Sequence, residues 1–205
     1  ILTVTVEQPV VWRPASVLND NSANQAQNDT PELSSDRNGN WLAVWRSNDD
    51  VQGSGSDYDI LYSQSSDGGM TWSSAATLQS NAGTDVGSDR SPVAAPGLNG
   101  RWITVWDSTG DLGNQIGTDR DILIMVSDDA GQSWSGLRAL SPSAGSDQGD
   151  DYGVSLATDG AGHWMAVWLC DDSLSNTIGT DLDIVFSVST NDGLDWTVPV
   201  PLLSL

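Results

Sequence analysis

Tryptophan spacing constrains this chain more than any other feature. Nine of its ten tryptophans fall into three series whose members lie 61 or 62 residues apart: Trp41, Trp102 and Trp164; Trp45, Trp106 and Trp168; Trp72, Trp134 and Trp196. The surrounding residues repeat with them. NWLAVWRS, RWITVWDS and HWMAVWLC begin at Asn40, Arg101 and His163. SDYDILYSQSSDGGMTW, TDRDILIMVSDDAGQSW and TDLDIVFSVSTNDGLDW begin at Ser56, Thr118 and Thr180. The tenth tryptophan, Trp12, stands 60 residues before Trp72 and marks a half copy. A small unit repeated in tandem cannot bury both of its faces alone, so the copies must stack on one another.

Each copy predicts four strands. The first is short, around residues 32–35, 93–95 and 154–157; the second is the Trp-x-x-x-Trp run. The third covers 60–65, 122–127 and 184–189, and the fourth runs from the third tryptophan to Leu78, Leu140 or residues 202–203. Alternate residues of a strand share a face, so Trp41, Ala43 and Trp45 point one way and Leu42 and Val44 the other. Both faces are apolar, which suits a sheet sandwiched between neighbours. The expected fold is therefore all-β: a propeller-type array of four-stranded antiparallel blades. Three blades are complete (19–80, 81–142 and 143–205), and residues 1–18 supply strands three and four of an N-terminal half blade.

Composition agrees with that reading. There are 26 Asp, two Glu (Glu7 and Glu32), seven Arg and no Lys. Helical surfaces favour Glu and Lys, whereas Asp, Asn, Gly and Ser favour turns, so the charge resides in loops. A net charge of −21 excludes nucleic acid and anionic membrane surfaces and favours cations or a basic partner. No segment has the length of a membrane-spanning helix. Cys170 is the only cysteine, so no internal disulfide forms. With no signal peptide, and Ile1 rather than Met at its start, the chain reads as a processed or excised segment, expected outside the cell or at its surface.

The connection between strands three and four carries a motif: Ser65-x-Asp67-x-Gly69-x-x-Trp72, Ser127-x-Asp129-x-Gly131-x-x-Trp134 and Ser189-x-Asn191-x-Gly193-x-x-Trp196. It reads as a tight turn in which Asp or Asn accepts from turn amides, Gly supplies a positive φ and Trp folds back beneath. This pattern resembles the Asp-box, or BNR repeat, of sialidases and sialidase-like propellers, and three copies in register extend the resemblance over essentially the whole chain. The resemblance implies boxes at the propeller rim, away from substrate and structural in role. Asn191 departs from the pattern but can make the same turn bonds. In the half copy Glu7 and Pro9 stand where Asp and Gly belong, so that turn must be built differently.

For an active sialidase the resemblance implies an arginine triad, a Tyr–Glu nucleophile pair and an Asp acid/base. Here Arg13, Arg37, Arg46, Arg90, Arg101, Arg120 and Arg138 occupy non-equivalent repeat positions. The tyrosines are Tyr58, Tyr62 and Tyr152, and neither Glu has an evident partner. The expectation is a non-catalytic member, with sialidase-like glycoside hydrolysis by two Asp carboxylates as an alternative. His163 takes the place of Asn40 and Arg101 and reads as a surface residue; Cys170 takes the place of Ser47 and Ser108 and reads as a small buried thiol.

Three acidic pairs recur just before strand three: Asp57 and Asp59, Asp119 and Asp121, Asp181 and Asp183, behind Gly55, Gly117 and Gly179. Two readings stay open. The carboxylates tie the long loop by accepting its amides, or each copy holds a calcium ion. Loop carbonyls, or the acidic inter-copy connection at Asp85, Asp89, Asp147, Asp150 and Asp151, would complete the second kind of site. The half blade lacks strands one and two, so assembly through incomplete blades is expected, with ILTVTV as a possible inserting strand and a homo-oligomeric ring or filament as the product. The functional expectation is a non-catalytic extracellular module with a structural or adhesive role, stabilised by calcium; a glycan- or protein-binding propeller is the alternative.

Overall fold

The computed structural model describes residues 15–20, 22–174 and 176–202. Most of the predicted half blade, and the inserting strand assigned to it, lies outside the described residues. Among the described residues twelve strands form three antiparallel sheets of four, each in simple meander order. The first sheet holds β1 (Asn28–Ser35), β2 (Trp41–Ser47), β3 (Asp59–Ser65) and β4 (Ala76–Thr77). The second holds β5 (Asp89–Pro96), β6 (Trp102–Ser108), β7 (Asp121–Ser127) and β8 (Ser135–Ala139). The third holds β9 (Asp151–Thr158), β10 (Trp164–Cys170), β11 (Asp183–Ser189) and β12 (Val200–Pro201). The first strands neighbour one another, β1 beside β5 and β5 beside β9, and the sheets pack face to face outward from there. This is the arrangement of propeller blades. No helix among the described residues is long and apolar enough to cross a membrane.

The two faces of each second strand explain the stacking. Leu42 and Val44 of β2, with Ile60, meet Trp102, Trp106, Leu123 and Met125 of the second sheet in one continuous core. Ile103, Val105, Ile122 and Ile124 of the second sheet then meet Trp164, Ala166, Trp168 and Val185 of the third. The Trp-x-Ala/Thr-x-Trp face of one blade thus lies on the aliphatic face of the blade before it. Trp102, Trp106 and Trp168 are among the largest fully buried side chains. Full burial of an indole stabilises by roughly 4–6 kcal/mol on area grounds, so these rings dominate the cohesion between blades.

The strands differ from expectation at both sheet edges. The outer strands β4 and β12 are only two residues long, although a full fourth strand is predicted. Side-chain hydroxyls take over the missing ladder: Ser73 Oγ accepts from Gln64 N at 3.1 Å, and Thr197 Oγ1 from Val188 N at 3.1 Å. Pro199 and Pro201 have no N–H to donate. The inner strands are longer than predicted, because each passes through a bulge and continues to Asn28, Asp89 or Asp151. At the bulge two residues face one tryptophan: Thr30 and Pro31 opposite Trp45, Ser91 and Pro92 opposite Trp106, Gly153 and Val154 opposite Trp168. Such an irregularity leaves no periodicity for sequence reasoning to detect.

The first bulge residue adopts a left-handed backbone in every copy, with φ of 48° at Thr30, 51° at Ser91 and 66° at Gly153. A β-branched residue there is strained by about 1–2 kcal/mol, and glycine's greater chain entropy offsets roughly half of that. Thr30→Gly is therefore expected to stabilise the fold by about 0.5–1 kcal/mol in chemical denaturation, and Gly153→Thr to destabilise it by at least as much. A Cβ at Gly153 meets only Leu169 Cδ1, at 3.8 Å, so backbone strain and not crowding is what this pair of variants measures. Unchanged midpoints for both would refute the assignment.

Candidate metal centre

Each third strand has a functional element at either end. At its C-terminal end lies the Asp-box turn, closed by its own side chains. Ser65 Oγ donates to Asp67 Oδ1 at 2.8 Å and accepts from Gly69 N at 3.0 Å. Asp67 also accepts from the amides of Met70 and Thr71 and from the Thr71 hydroxyl. These bonds hold its carboxyl down at about 2, led by the Thr71 hydroxyl. Ser127, Asp129 and Ser133 repeat the scheme. In the third copy Asn191 Oδ1 accepts from Asp195 N at 3.0 Å, and its Nδ2 donates to Asp195 Oδ2 at 2.8 Å. The donor has moved from the sixth residue after the motif's serine (Thr71) to the second (Asn191), and the bond survives.

The turn also seats one blade on the next. Trp72 and Trp196 donate Nε1–H to the box glycine carbonyls at 3.2 Å. Gly131 lies against Leu42 and Gln64 of the preceding blade, and a Cβ on Gly193, where φ is 77°, would collide with Ile103. Trp134 instead meets Tyr62 of the first blade edge to face, with ring centroids 5.9 Å apart. Arg138 donates to the Gly193 and Leu194 carbonyls, and Arg101 donates to Asp192 O and pairs with Asp128.

At the N-terminal end of the third strand, six residues and about 20 Å away, the acidic pairs meet the next blade. Asp89 N donates to Tyr58 O at 2.8 Å and Asp151 N to Arg120 O at 2.7 Å, which hooks the first strand of one blade onto the loop of the blade before it. The hook brings acids from two sheets together. Asp57, Asp59 and Asp85 place carboxylate oxygens within 4.8 Å of one another at the first junction, and Asp119, Asp121 and Asp147 do so at the second. Asp89 and Asp151 stand alongside, each with its charge adjacent to these acids. Gly117 is required by this geometry, because a Cβ there would collide with the Asp119 carboxylate folded back over it.

Three acids sharing so small a space can hold a metal ion. Oxygens bound at about 2.3–2.6 Å from one cation lie no more than about 5 Å apart, which both groups satisfy. The structure supplies a second sign. Asp59 and Asp121 are each only 1% exposed, yet Oδ2 of each accepts no hydrogen bond; Oδ2 of Asp57 and Asp119 and Oδ1 of Asp85 and Asp147 are likewise unpartnered. Buried carboxylate oxygens without donors are costly unless a cation or a proton meets them. Solvent reaches both groups, since Asp85 lines a cleft of about 520 Å³ and Asp147 one of about 470 Å³.

Without a metal the acids hold protons instead. Burial, then the neighbouring Asp89, Asp57 and Asp85, pushes Asp59 up to about 8. Burial followed by Asp147, Asp119, Asp151 and Asp150 does the same for Asp121, also to about 8. Burial raises Asp89 and Asp151 to about 7 against hydrogen bonds from Ser108, Gln79 and Trp106 or from Cys170 and Trp168. Asp147 rises to about 6 through burial and Asp119. Asp85 rises through burial and Asp57.

The remaining residues singled out in the sequence go elsewhere. Asp181 is exposed in the loop before β11 and Asp183 half-buried at the start of that strand, and no third acid joins them among the described residues. Asp150 accepts from Arg120 N at 3.0 Å, a loop tie rather than a place in the triad. His163 is exposed and pairs with Asp159 at 2.6 Å. Cys170 is buried, with its thiol pushed up by burial and by Asp151. Sequence reasoning missed Gln79, which reaches into the first junction, because its counterpart Ser141 shares no chemistry with it and the repeat carries no signal there.

The arrangement matches solved propellers in shape and not in sequence. No family model matches the chain, and no curated protein matches it. A Hadza microbial sialidase superposes with a TM-score of 0.57 at 17% identity, covering 82% of this chain and 36% of that one. A protein of unknown function from Dyadobacter fermentans gives 0.60 at 16%, covering 92% and 58%. A leech intramolecular trans-sialidase gives 0.57 at 13%, covering 87% and 44%. The fold is thus that of sialidase-type and related glycoside-hydrolase propellers, and the chain spans about a third to three-fifths of those proteins' length.

Two measurements follow from this site. Asn191→Asp sets two carboxylates against each other at the Asp195 contact and is expected to destabilise by about 1 kcal/mol, with Asp195→Thr restoring most of it in a double-mutant cycle; additive losses would refute the donor swap. In chelator, the metal-free fold binds more protons between about pH 4 and 8 than the unfolded chain, whose Asp groups titrate near 3.9, so stability must fall as pH rises. The melting temperature is expected to drop steadily from about pH 5 to 8 and to drop less in Asp59→Asn/Asp121→Asn. A flat or rising profile would contradict the buried clusters.

Proposed function

We propose that the chain is a non-catalytic segment of a sialidase-type propeller, acting outside the cell as a structural or adhesive module whose blades are joined by calcium. The observation that carries this reading is the unpartnered, buried oxygen on Asp59 and on Asp121, each set among acids from two successive blades. Calcium suits these groups best. It takes six to eight oxygens in flexible geometry, whereas magnesium demands a tight octahedron and keeps its waters, and zinc prefers nitrogen and sulfur. Millimolar calcium outside cells would keep such sites filled, which supports an extracellular location.

The non-catalytic part of the reading is supported by where the arginines go. Arg46 pairs with Asp29, Arg101 with Asp128, and Arg120 approaches Asp107 at 3.9 Å. Arg138 is spent on the carbonyls of Gly193 and Leu194. Each serves a different contact, and these four do not converge on a shared carboxylate pocket. Assembly is supported by the outer face of the third sheet. Met165 and Ile184 are 43% and 49% exposed, while their counterparts Ile103 and Ile122, under the next blade, are at most 1% exposed. A blade face of this kind is a surface for a further blade or a second copy, giving a homo-oligomer or filament.

Calcium titration followed by calorimetry and melting tests the proposal. Millimolar calcium is expected to raise the melting temperature by several degrees at neutral pH, and Asp59→Asn/Asp121→Asn to abolish the rise. Absence of any shift relative to chelator would overturn the calcium reading, and turnover of fluorogenic sialosides or arabinofuranosides would overturn the non-catalytic one.

A further inference from the structure

The two junctions share their acids but differ at one buried position. In the first, Gln79 is 2% exposed and its Nε2 reaches three carboxylates: Asp59 Oδ1 and Asp85 Oδ2, each at 3.4 Å, and Asp89 Oδ2 in a closer contact. Its Oε1 has no partner. The amide N–H₂ therefore stands among oxygens of three acids, Asp59, Asp85 and Asp89, and turns the positive end of its dipole to them. In the second junction Ser141 stands at the same place in the repeat, one residue after Leu140 as Gln79 follows Leu78. Its hydroxyl is engaged with Ser143 Oγ at 2.7 Å and with Ser143 N at 3.1 Å, and no bond runs from it to Asp119, Asp121, Asp147 or Asp151. Oδ2 is buried and without a donor on both Asp59 and Asp121, so the amide is what distinguishes the two junctions.

We infer that Gln79 is a built-in occupant of the first junction, competing with a divalent cation there, so that the second junction is the primary metal site of the chain. The inference rests on the reading of both junctions as cation sites and assigns their order. To bind at the first junction a cation must displace the Gln79 amide from carboxylates that it already satisfies, which subtracts those charge-assisted hydrogen bonds from the binding free energy. At the second junction nothing has to be displaced. The blades are then unequal: the first pair is held together without metal, and the second pair depends on it.

The test is calcium titration of the full chain by calorimetry, with terbium luminescence sensitised by the junction tryptophans as a second readout. Two classes of site are expected, separated by at least tenfold in affinity, with Asp121→Asn removing the tighter class and Asp59→Asn the weaker. Gln79→Ser should tighten the weaker class about tenfold and merge the two, and Ser141→Gln should loosen the tighter class by a similar factor. Two equal classes in the unmodified chain would overturn the inference while leaving both sites standing. Weaker binding in Gln79→Ser would also overturn it, by making Gln79 a ligand. No calcium binding at all would remove the underlying reading instead. The reciprocal Ser141→Gln variant keeps the test decisive if Gln79→Ser fails to fold.

Discussion

Sheet-on-sheet packing through the paired tryptophans is the contact on which the rest of this structure depends. A four-stranded meander with two apolar faces is not stable in water by itself, because either face left open exposes the side chains that would make its core. Trp102 and Trp106 close the face presented by Leu42, Val44 and Ile60, and Trp164 and Trp168 close the one presented by Ile103, Val105 and Ile124. The indoles are spaced four residues apart on one strand, so both rings fall on the same face and cover the strand's length. Once that contact is made, the ends of the strands have no freedom to choose their neighbours. The Asp-box turn must pass close to the preceding blade: a Cβ at Gly193 would collide with Ile103, and Gly131 supplies the positive φ that the turn needs. The acidic loops must meet at the opposite end.

That second meeting is electrostatically unfavourable on its own. A chain with 26 Asp and no Lys has little internal countercharge to bring to a buried cluster, and of the seven arginines Arg46, Arg101, Arg120 and Arg138 already serve other contacts. The acids gathered at each seam call for protons or a cation, and the raised proton affinities of Asp59 and Asp89, and of Asp121 and Asp151, describe the first of these states. The oxygens come from two sheets, with the pair from the loop of one blade and the remainder from the connection into the next. A cation there would read the register of one blade against its neighbour, since a slipped strand would withdraw Asp89 or Asp151 from the group. Hydrophobic packing specifies that blades stack, and the acids specify how.

Much of this was legible in the residues. The Trp spacing located the second strands, and the two-residue alternation of NWLAVWRS correctly separated the side chains of one face from those of the other. The acidic pairs stood out because identical side chains recur at one spacing. What the sequence hid is what the repeat does not repeat. The inner strands run several residues further than expected, since the bulges at Thr30, Ser91 and Gly153 break the alternation that marks a strand. The outer strands shrink, since Ser73 and Thr197 replace ladder bonds with hydroxyls and no propensity scale registers that exchange. Gln79 looked like any polar residue between blades until the fold carried it against three carboxylates.

Divergence between copies is therefore as informative as repetition. At the Asp-box, Asn191 and Asp195 replace Asp67 and Thr71, yet the side-chain bond between the two positions persists with its donor and acceptor exchanged. A position that changes while its bond is conserved serves the turn, and the turn is the same in every blade. At the junctions the opposite holds: the acids are constant while Gln79 and Ser141 give them different company, so the surroundings differ although the acids do not. Structural economy explains the first case, because any pair that closes the turn will do. It does not explain the second, where an amide buried against three carboxylates in one junction and a hydroxyl turned away in the next give two seams of the same propeller different demands for charge.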